Sequence, residues 1–112
     1  MVNKVILIGN IGKEPEIRTL NSEGVKTAAF PLATSEKYRD RNGELQEQTE
    51  WHNIVAWRGT AETIEKLQLR KGATLYIEGS LHTRNWTDQA GVKRYTTEVV
   101  VDTFRLLDKK EA

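Results

Sequence analysis

The segment Glu50-Trp51-His52-Asn53-Ile54-Val55-Ala56-Trp57-Arg58 gathers side chains that could act on a ligand. Read as a strand, it alternates faces: Trp51, Asn53, Val55 and Trp57 share one side, and His52, Ile54, Ala56 and Arg58 the other. Ile54 and Ala56 suit the narrow interior of a small β domain better than two indoles do. This reading turns both tryptophans outward, roughly 20 Å apart at ~3.3 Å per residue. The opposite reading buries both indoles and exposes Ile54. An outward row of indoles is an apolar patch that calls for a cover, and unpaired nucleobases are a suitable one. Stacking on an aromatic face is worth ~1–3 kcal/mol per base and tolerates any base.

Two further aromatics, Tyr38 and Trp86, fall in polar stretches, and cations are interleaved with the set. Arg39 and Arg41 follow Tyr38, Arg58 follows Trp57, Arg84 precedes Trp86, and Arg94 lies across the next turn. Any one of these arginines, taken alone, reads as a solvated surface charge. Together with four aromatics they read as a groove that stacks bases and contacts phosphates. Catalysis finds no support. There is no cysteine, His52 and His82 stand alone, no Gly-rich phosphate loop is present, and Glu47 and Glu50 are ordinary surface carboxylates. No cofactor and no metal are expected.

These residues sit in a chain of 112 residues, 38% hydrophobic and 29% charged, which suits one domain. No apolar run approaches the ~18 residues of a membrane span, so no membrane partner is expected. The opening residues do not form a secretory signal. Together with the lack of cysteine, this leads us to expect a cytoplasmic, nucleoid-associated protein. Seventeen Lys and Arg against sixteen Asp and Glu give a net charge of +1, so attraction to a polyanion must come from local placement.

The elements read mostly as strands. Residues 4–8 open the chain as a strand interrupted at Gly9 and Gly12, 16–20 form a short continuation, and 21–24 form a turn. A second strand covers 25–34, with Ala28, Phe30 and Leu32 on one face and Pro31 at an edge or irregular position. Residues 35–49 form a protruding polar finger around Asn42-Gly43, a pair suited to a type I′ turn. Residues 50–57 form the third strand. Ala61, Ile64 and Leu67 recur at helical spacing, which predicts a helix over 60–69 with Thr60 as its cap and Gly72 beyond its end. Residues 73–81 form a strand with Leu75, Ile77 and Leu81 inward. A second projecting hairpin turns at 88–91, and 95–107 form the last strand. The order β-β-β-α-β-β predicts an all-β domain with one short helix, an OB-fold: a five-stranded Greek-key barrel with projecting β-hairpins.

The chain also resembles the bacterial and mitochondrial single-stranded DNA-binding protein family. The resemblance rests on Val2-Asn3-Lys4-Val5-Ile6-Leu7, Gly9-Asn10-Ile11-Gly12, Pro15-Glu16-Ile17-Arg18, Leu32-Ala33-Thr34-Ser35, Glu47-Gln48-Thr49-Glu50-Trp51-His52, Tyr76-Ile77-Glu78-Gly79, Trp86-Thr87-Asp88 and Arg94-Tyr95-Thr96-Thr97-Glu98-Val99-Val100-Val101, in collinear order. It implies a non-enzymatic OB-fold domain over 1–107 that assembles as a homotetramer. Such a protein binds and protects single-stranded DNA during replication, recombination and repair. Trp51 and Trp86 match the family's stacking positions, Tyr38 stands where many members have Trp, and Trp57 where many have Phe. By the same resemblance Lys4, Arg18, Lys71, Arg84 and Arg94 suit backbone contacts, and His52 matches a histidine tied to subunit contacts. Taken by itself, His52 reads as a structural histidine. Residues 108–112 would be a short remnant in place of the family's acidic tail, which implies weakened recruitment of replication and repair proteins. The alternative is a tail-less primosome-type adaptor acting mainly through protein contacts, with an RNA-binding OB domain a third option.

Overall fold

The computed structural model describes residues 1–20 and 22–108; Asn21 of the expected 21–24 turn and residues 109–112 of the expected C-terminal remnant lie outside them. The chain runs β1 (Val5–Ile11), β2 (Glu16–Leu20), β3 (Val25–Arg39), β4 (Leu45–Trp57), α1 (Arg58–Leu67), β5 (Thr74–Thr87) and β6 (Lys93–Leu106). The strands are ordered β1-β5-β6-β4-β3-β2, and β1 also pairs with β3, so five strands close into a barrel and β2 lies beside β3. The seams are short: Asn10 and Ile11 of β1 face Ala33 and Leu32 of β3, and Ile54 and Val55 of β4 run parallel to Val99 and Val100 of β6. This is the expected OB-fold.

Alternation fills the interior. Ala28, Phe30 and Leu32 of β3, Ile54 and Ala56 of β4, Leu75 and Ile77 of β5, and Val99 and Val101 of β6 are buried together with Ile11. Helix α1 plugs one end with Ala61 and Ile64. Its outer side is tied to β3 by the Lys26 ammonium, 2.5 Å from Glu65. Glu65 holds that ammonium above the usual lysine range, first through the hydrogen bond and then through charge.

Several expectations need correction. Strand β1 is not broken at Gly9: it continues to Ile11 because the missing side chain lets β1 approach β3. A Cβ at Gly9 would collide with the Ala33 carbonyl oxygen. The helix begins at Arg58 and ends at Leu67, with Trp57 as its N-cap residue and no side-chain cap, so Thr60 is inside it. Gln68, in the left-handed region, ends it, while the Gly72 amide donates to the Ile11 carbonyl at 2.7 Å. Leu81 is exposed rather than inward, because β5 has run past the start of β1, whose pairing with it stops at Val5↔Gly79. Pro31 does sit at an irregular position. Its carbonyl accepts the Gly12 amide at 2.9 Å, so its nitrogen faces the gap between the β2 and β1 pairings, where no donor is needed.

The polar finger is a hairpin with its strands paired from Thr34↔Glu50 out to Arg39↔Leu45. Its turn is not type I′, since Gly43 alone among residues 40–44 has positive φ. The second hairpin repeats the device. The Gly43 and Gly91 amides donate to the carbonyls of Asp40 and Asp88, three residues back. One carboxylate oxygen of each aspartate accepts the amides two and four residues on. The other accepts the side chain six residues on, Gln46 at 3.1 Å and Arg94 at 3.0 Å.

Gly9→Ala forces the β1–β3 seam apart, at ~1–3 kcal/mol for overpacking. Gly59→Ala, with open space around its Cβ, stabilises the helix start by ~0.4–1 kcal/mol. Urea midpoints at fixed protein concentration should move in opposite directions. The Val92 amide, then Arg94, holds the Asp88 carboxyl below its ordinary value of 3.8. Its stabilisation is present above that value and disappears as pH falls through the lowered one. Amide exchange in the β5–β6 turn should therefore accelerate in that acid range, and Asp88→Asn should remove the acid step.

Candidate nucleic-acid interface

The β4 alternation places Ile54 and Ala56 inside and turns Trp51, Asn53, Val55 and Trp57 outward. Trp51 is 61% exposed and Trp57 44%. The reading with both indoles buried is therefore excluded. Along β5, Leu75 and Ile77 point inward, so Arg84 and Trp86 share the outward face with Thr96 and Glu98 of β6. The Trp86 indole N–H donates to the Thr96 hydroxyl at 3.3 Å. Asn53 and Val55, which lie between the two β4 tryptophans, meet Arg84, Thr96 and Glu98 across an open groove of about 820 Å³. Lys13 and Glu14 of the β1–β2 connection border the same groove. One face of β4 and one face of the second hairpin thus carry three exposed indoles together with residues that line this groove.

Tyr38 is exposed as well, but it faces elsewhere. It pairs across from Gln46, and by alternation along β3 it shares its side with Leu32, opposite to Trp51. The fold therefore does not bring all four aromatics to one surface. Arg39 and Arg41 stay with Tyr38 at the tip of the first hairpin, where Arg39 donates to the Gly43 carbonyl at 2.9 Å. The 50–58 alternation puts Arg58 on the face of His52, just after Trp57. Arg58 is instead the first residue of α1, at a φ of 55°. Lys71 is exposed in the turn before β5.

Four of the cations carry partners of their own. Lys4 faces Glu78 at 3.4 Å, Arg18 faces Glu16 at 2.7 Å, Arg94 faces Asp88 at 3.0 Å, and Arg84 is paired with Glu98. The groove itself is lined by two cations, Lys13 and Arg84, and three carboxylates, Glu14, Glu16 and Glu98. His52 is half-buried, and its Nε2 is hydrogen-bonded to the Thr34 hydroxyl at 2.8 Å, as a structural histidine would be.

Two contributors were not evident in the sequence. Gly12 lies against the Trp51 ring: a Cβ there would collide with Cζ3 and Cη2 of the indole. The Gly12 amide is fixed by its bond to Pro31, so the backbone gives that ring a firm seat. In one dimension Gly12 signals only a bend. Glu98 is the other, an outward position of β6 whose alternation with Val99 could have revealed its face but not its arginine. Among the described residues, no group of three or more His, Asp or Glu could hold a metal ion.

The single-strand binding protein family model matches residues 2–107. The chain is also similar to the solved structure of Plasmodium falciparum SSB in complex with ssDNA. The two are 42% identical with a TM-score of 0.86, over 96% of this chain and 97% of that one. With the family pattern matched over nearly its whole length and the barrel superposing on that relative, this chain belongs to the single-strand binding protein family.

Proposed function

We propose that this protein binds single-stranded DNA without sequence preference and without catalysis, serving to protect it during replication, recombination and repair. The observation that carries this reading is the outward display of Trp51, Trp57 and Trp86 on the strand faces that also supply Asn53, Val55 and Arg84 to the groove. Bases stack on the indoles, and phosphates meet the arginines beside them. Neither contact reads the Watson–Crick edge, so every sequence is accepted. The likeness to a relative solved with ssDNA supports the same ligand. Tyr38, Arg39 and Arg41 extend the path over the first hairpin, while Lys4, Arg18, Arg58 and Lys71 add phosphate contacts away from the groove.

Self-association into a homotetramer is part of the proposal. Ile6 and Ile8, on the outer side of β1, are each more than half exposed, and their partners across β5 are Glu78 and Tyr76. This is an apolar strip that a second copy would cover. His52 then acts in subunit contact through its element, its ring being already engaged by Thr34.

Titration with oligo-dT should quench the tryptophan fluorescence, with an affinity that falls as salt rises. Trp51→Ala and Trp86→Ala should each cost ~1–3 kcal/mol of binding, and Gly12→Ala should weaken binding in the same direction by unseating Trp51. Wild-type affinity in both tryptophan variants would refute the stacking surface. Sedimentation should give a tetramer, with Ile6→Lys/Ile8→Lys shifting it to smaller species. A wild-type monomer would remove the assembly from the proposal.

A further inference from the structure

Trp86 has an arginine on each side of it on the outward face of the second hairpin. Arg84 lies two positions back on β5, and Arg94 lies directly across on β6. A carboxylate holds each of them through the same atom. The Arg84 Nε–H donates to Glu98, and the Arg94 Nε–H donates to Asp88 at 3.0 Å. In both pairs the acid is recessed and the base exposed: the side chains of Glu98 and Asp88 are 12% and 20% accessible, those of Arg84 and Arg94 72% and 58%. A guanidinium gripped at Nε leaves the outward hydrogens of its two terminal nitrogens available on the edge away from the carboxylate. The terminal nitrogens are the groups that take a phosphate as a two-pronged fork.

We infer that Glu98 is a positioning residue for DNA binding: from the floor of the groove it holds Arg84 by Nε, so that the free end of the guanidinium is presented to a phosphate beside the Trp86 ring. This rests on the reading of the groove as a site for single-stranded DNA. Two effects of the carboxylate oppose each other. Its charge repels a polyanion, but the arginine stands between it and solvent, so a strand in the groove meets the cation first. Its grip removes rotamer freedom from Arg84 before DNA arrives, and a side chain already ordered has less to lose on binding. The recessed acid and the exposed fork favour the second effect. Asp88 does the same for Arg94 but also builds the turn, which makes Glu98 the cleaner position to test. Among the described residues, Arg84 is the one hydrogen-bond partner of its carboxylate.

The test is a salt series of oligo-dT titrations, followed by tryptophan fluorescence on the full chain in its native assembly. Glu98→Ala should weaken binding about two- to tenfold, the cost of immobilising one rotamer-rich side chain on binding. The log–log salt slope should stay as in the wild type, because Arg84 still reaches its phosphate, whereas Arg84→Ala should flatten it by about 0.7, one phosphate contact on a single strand. Glu98→Gln keeps an acceptor for the Nε–H and should recover most of the loss. Arg84→Ala/Glu98→Ala should bind no more weakly than Arg84→Ala. Should Glu98→Ala fail to fold by circular dichroism, Arg84→Lys reports instead: it keeps the charge, has no Nε–H to hold, and should show a comparable loss at an unchanged slope. Tighter or unchanged binding in Glu98→Ala would overturn the inference, as would an equal loss in the Arg84→Ala background or wild-type behaviour of Arg84→Lys. A wild-type chain that fails to bind oligo-dT would instead refute the DNA reading beneath it.

Discussion

Backbone meets backbone where Gly9 lies against the Ala33 carbonyl and Gly79 against that of Val100, at contacts too close for any Cβ. These approaches draw β1 onto β3 and β5 onto β6 tightly enough to close a five-stranded ring. A ring this small leaves an interior for one layer of side chains, and the buried core among the described residues holds a single aromatic, Phe30. The tryptophans must therefore stand outside. Strand alternation then decides which outside face they share, and the second hairpin leans Arg84 and Thr96 over that face to make a groove of it. The display of indoles to solvent follows from how closely the backbone packs.

Charge is arranged just as locally. A net charge of +1 spread over seventeen bases and sixteen acids gives little long-range pull on a polyanion. Even within the groove, carboxylates outnumber cations. The field at the surface therefore depends on which group of each pair is outermost. On the second hairpin the acids lie beneath and the guanidinium ends above, so a ligand at contact distance meets donors although the sum of charge beneath it is not positive. Surface pairs of this kind contribute little to stability, and ordering of the donor is the more substantial consequence.

The core strands were legible because one face of each is apolar. Ala28, Phe30 and Leu32, or Ile54 and Ala56, alternate with residues that stay wet, and this period fixed their faces correctly. The outer halves of β3 and β4 were not legible as strand. Residues 35–39 and 45–49 are solvated on both sides, and their only large apolar members, Tyr38 and Leu45, fall on opposite faces, so no alternation marks them. Leu81 misled for a related reason: it keeps the inward parity of Ile77, but β1 pairs with β5 only as far as Gly79 and does not reach it. The start of α1 was hidden because Arg58 takes a left-handed backbone without being glycine. Trp51 and Trp57 could be assigned to the surface from the sequence, whereas the seat that Gly12 gives Trp51 depends on a contact 39 residues away along the chain.

The two hairpin tips show how one local device yields different surfaces. In each, an aromatic stands two residues before the turn aspartate, across from the residue whose side chain that aspartate clamps: Tyr38 across from Gln46, and Trp86 across from Arg94. The turns are alike in their hydrogen bonds, so they do not account for the difference. It comes from parity and from charge. Tyr38 lies on the side that continues the interior face of β3, while Trp86 lies on the side that continues the exterior of β5. Only the second hairpin therefore brings its aromatic to the face of β4 that carries Trp51 and Trp57, and only there is the clamped neighbour a cation. A one-residue change in the register of either strand relative to the barrel would exchange the faces. The Asp-x-x-Gly turns, by fixing where each strand reverses, thus determine which hairpin helps to frame the groove.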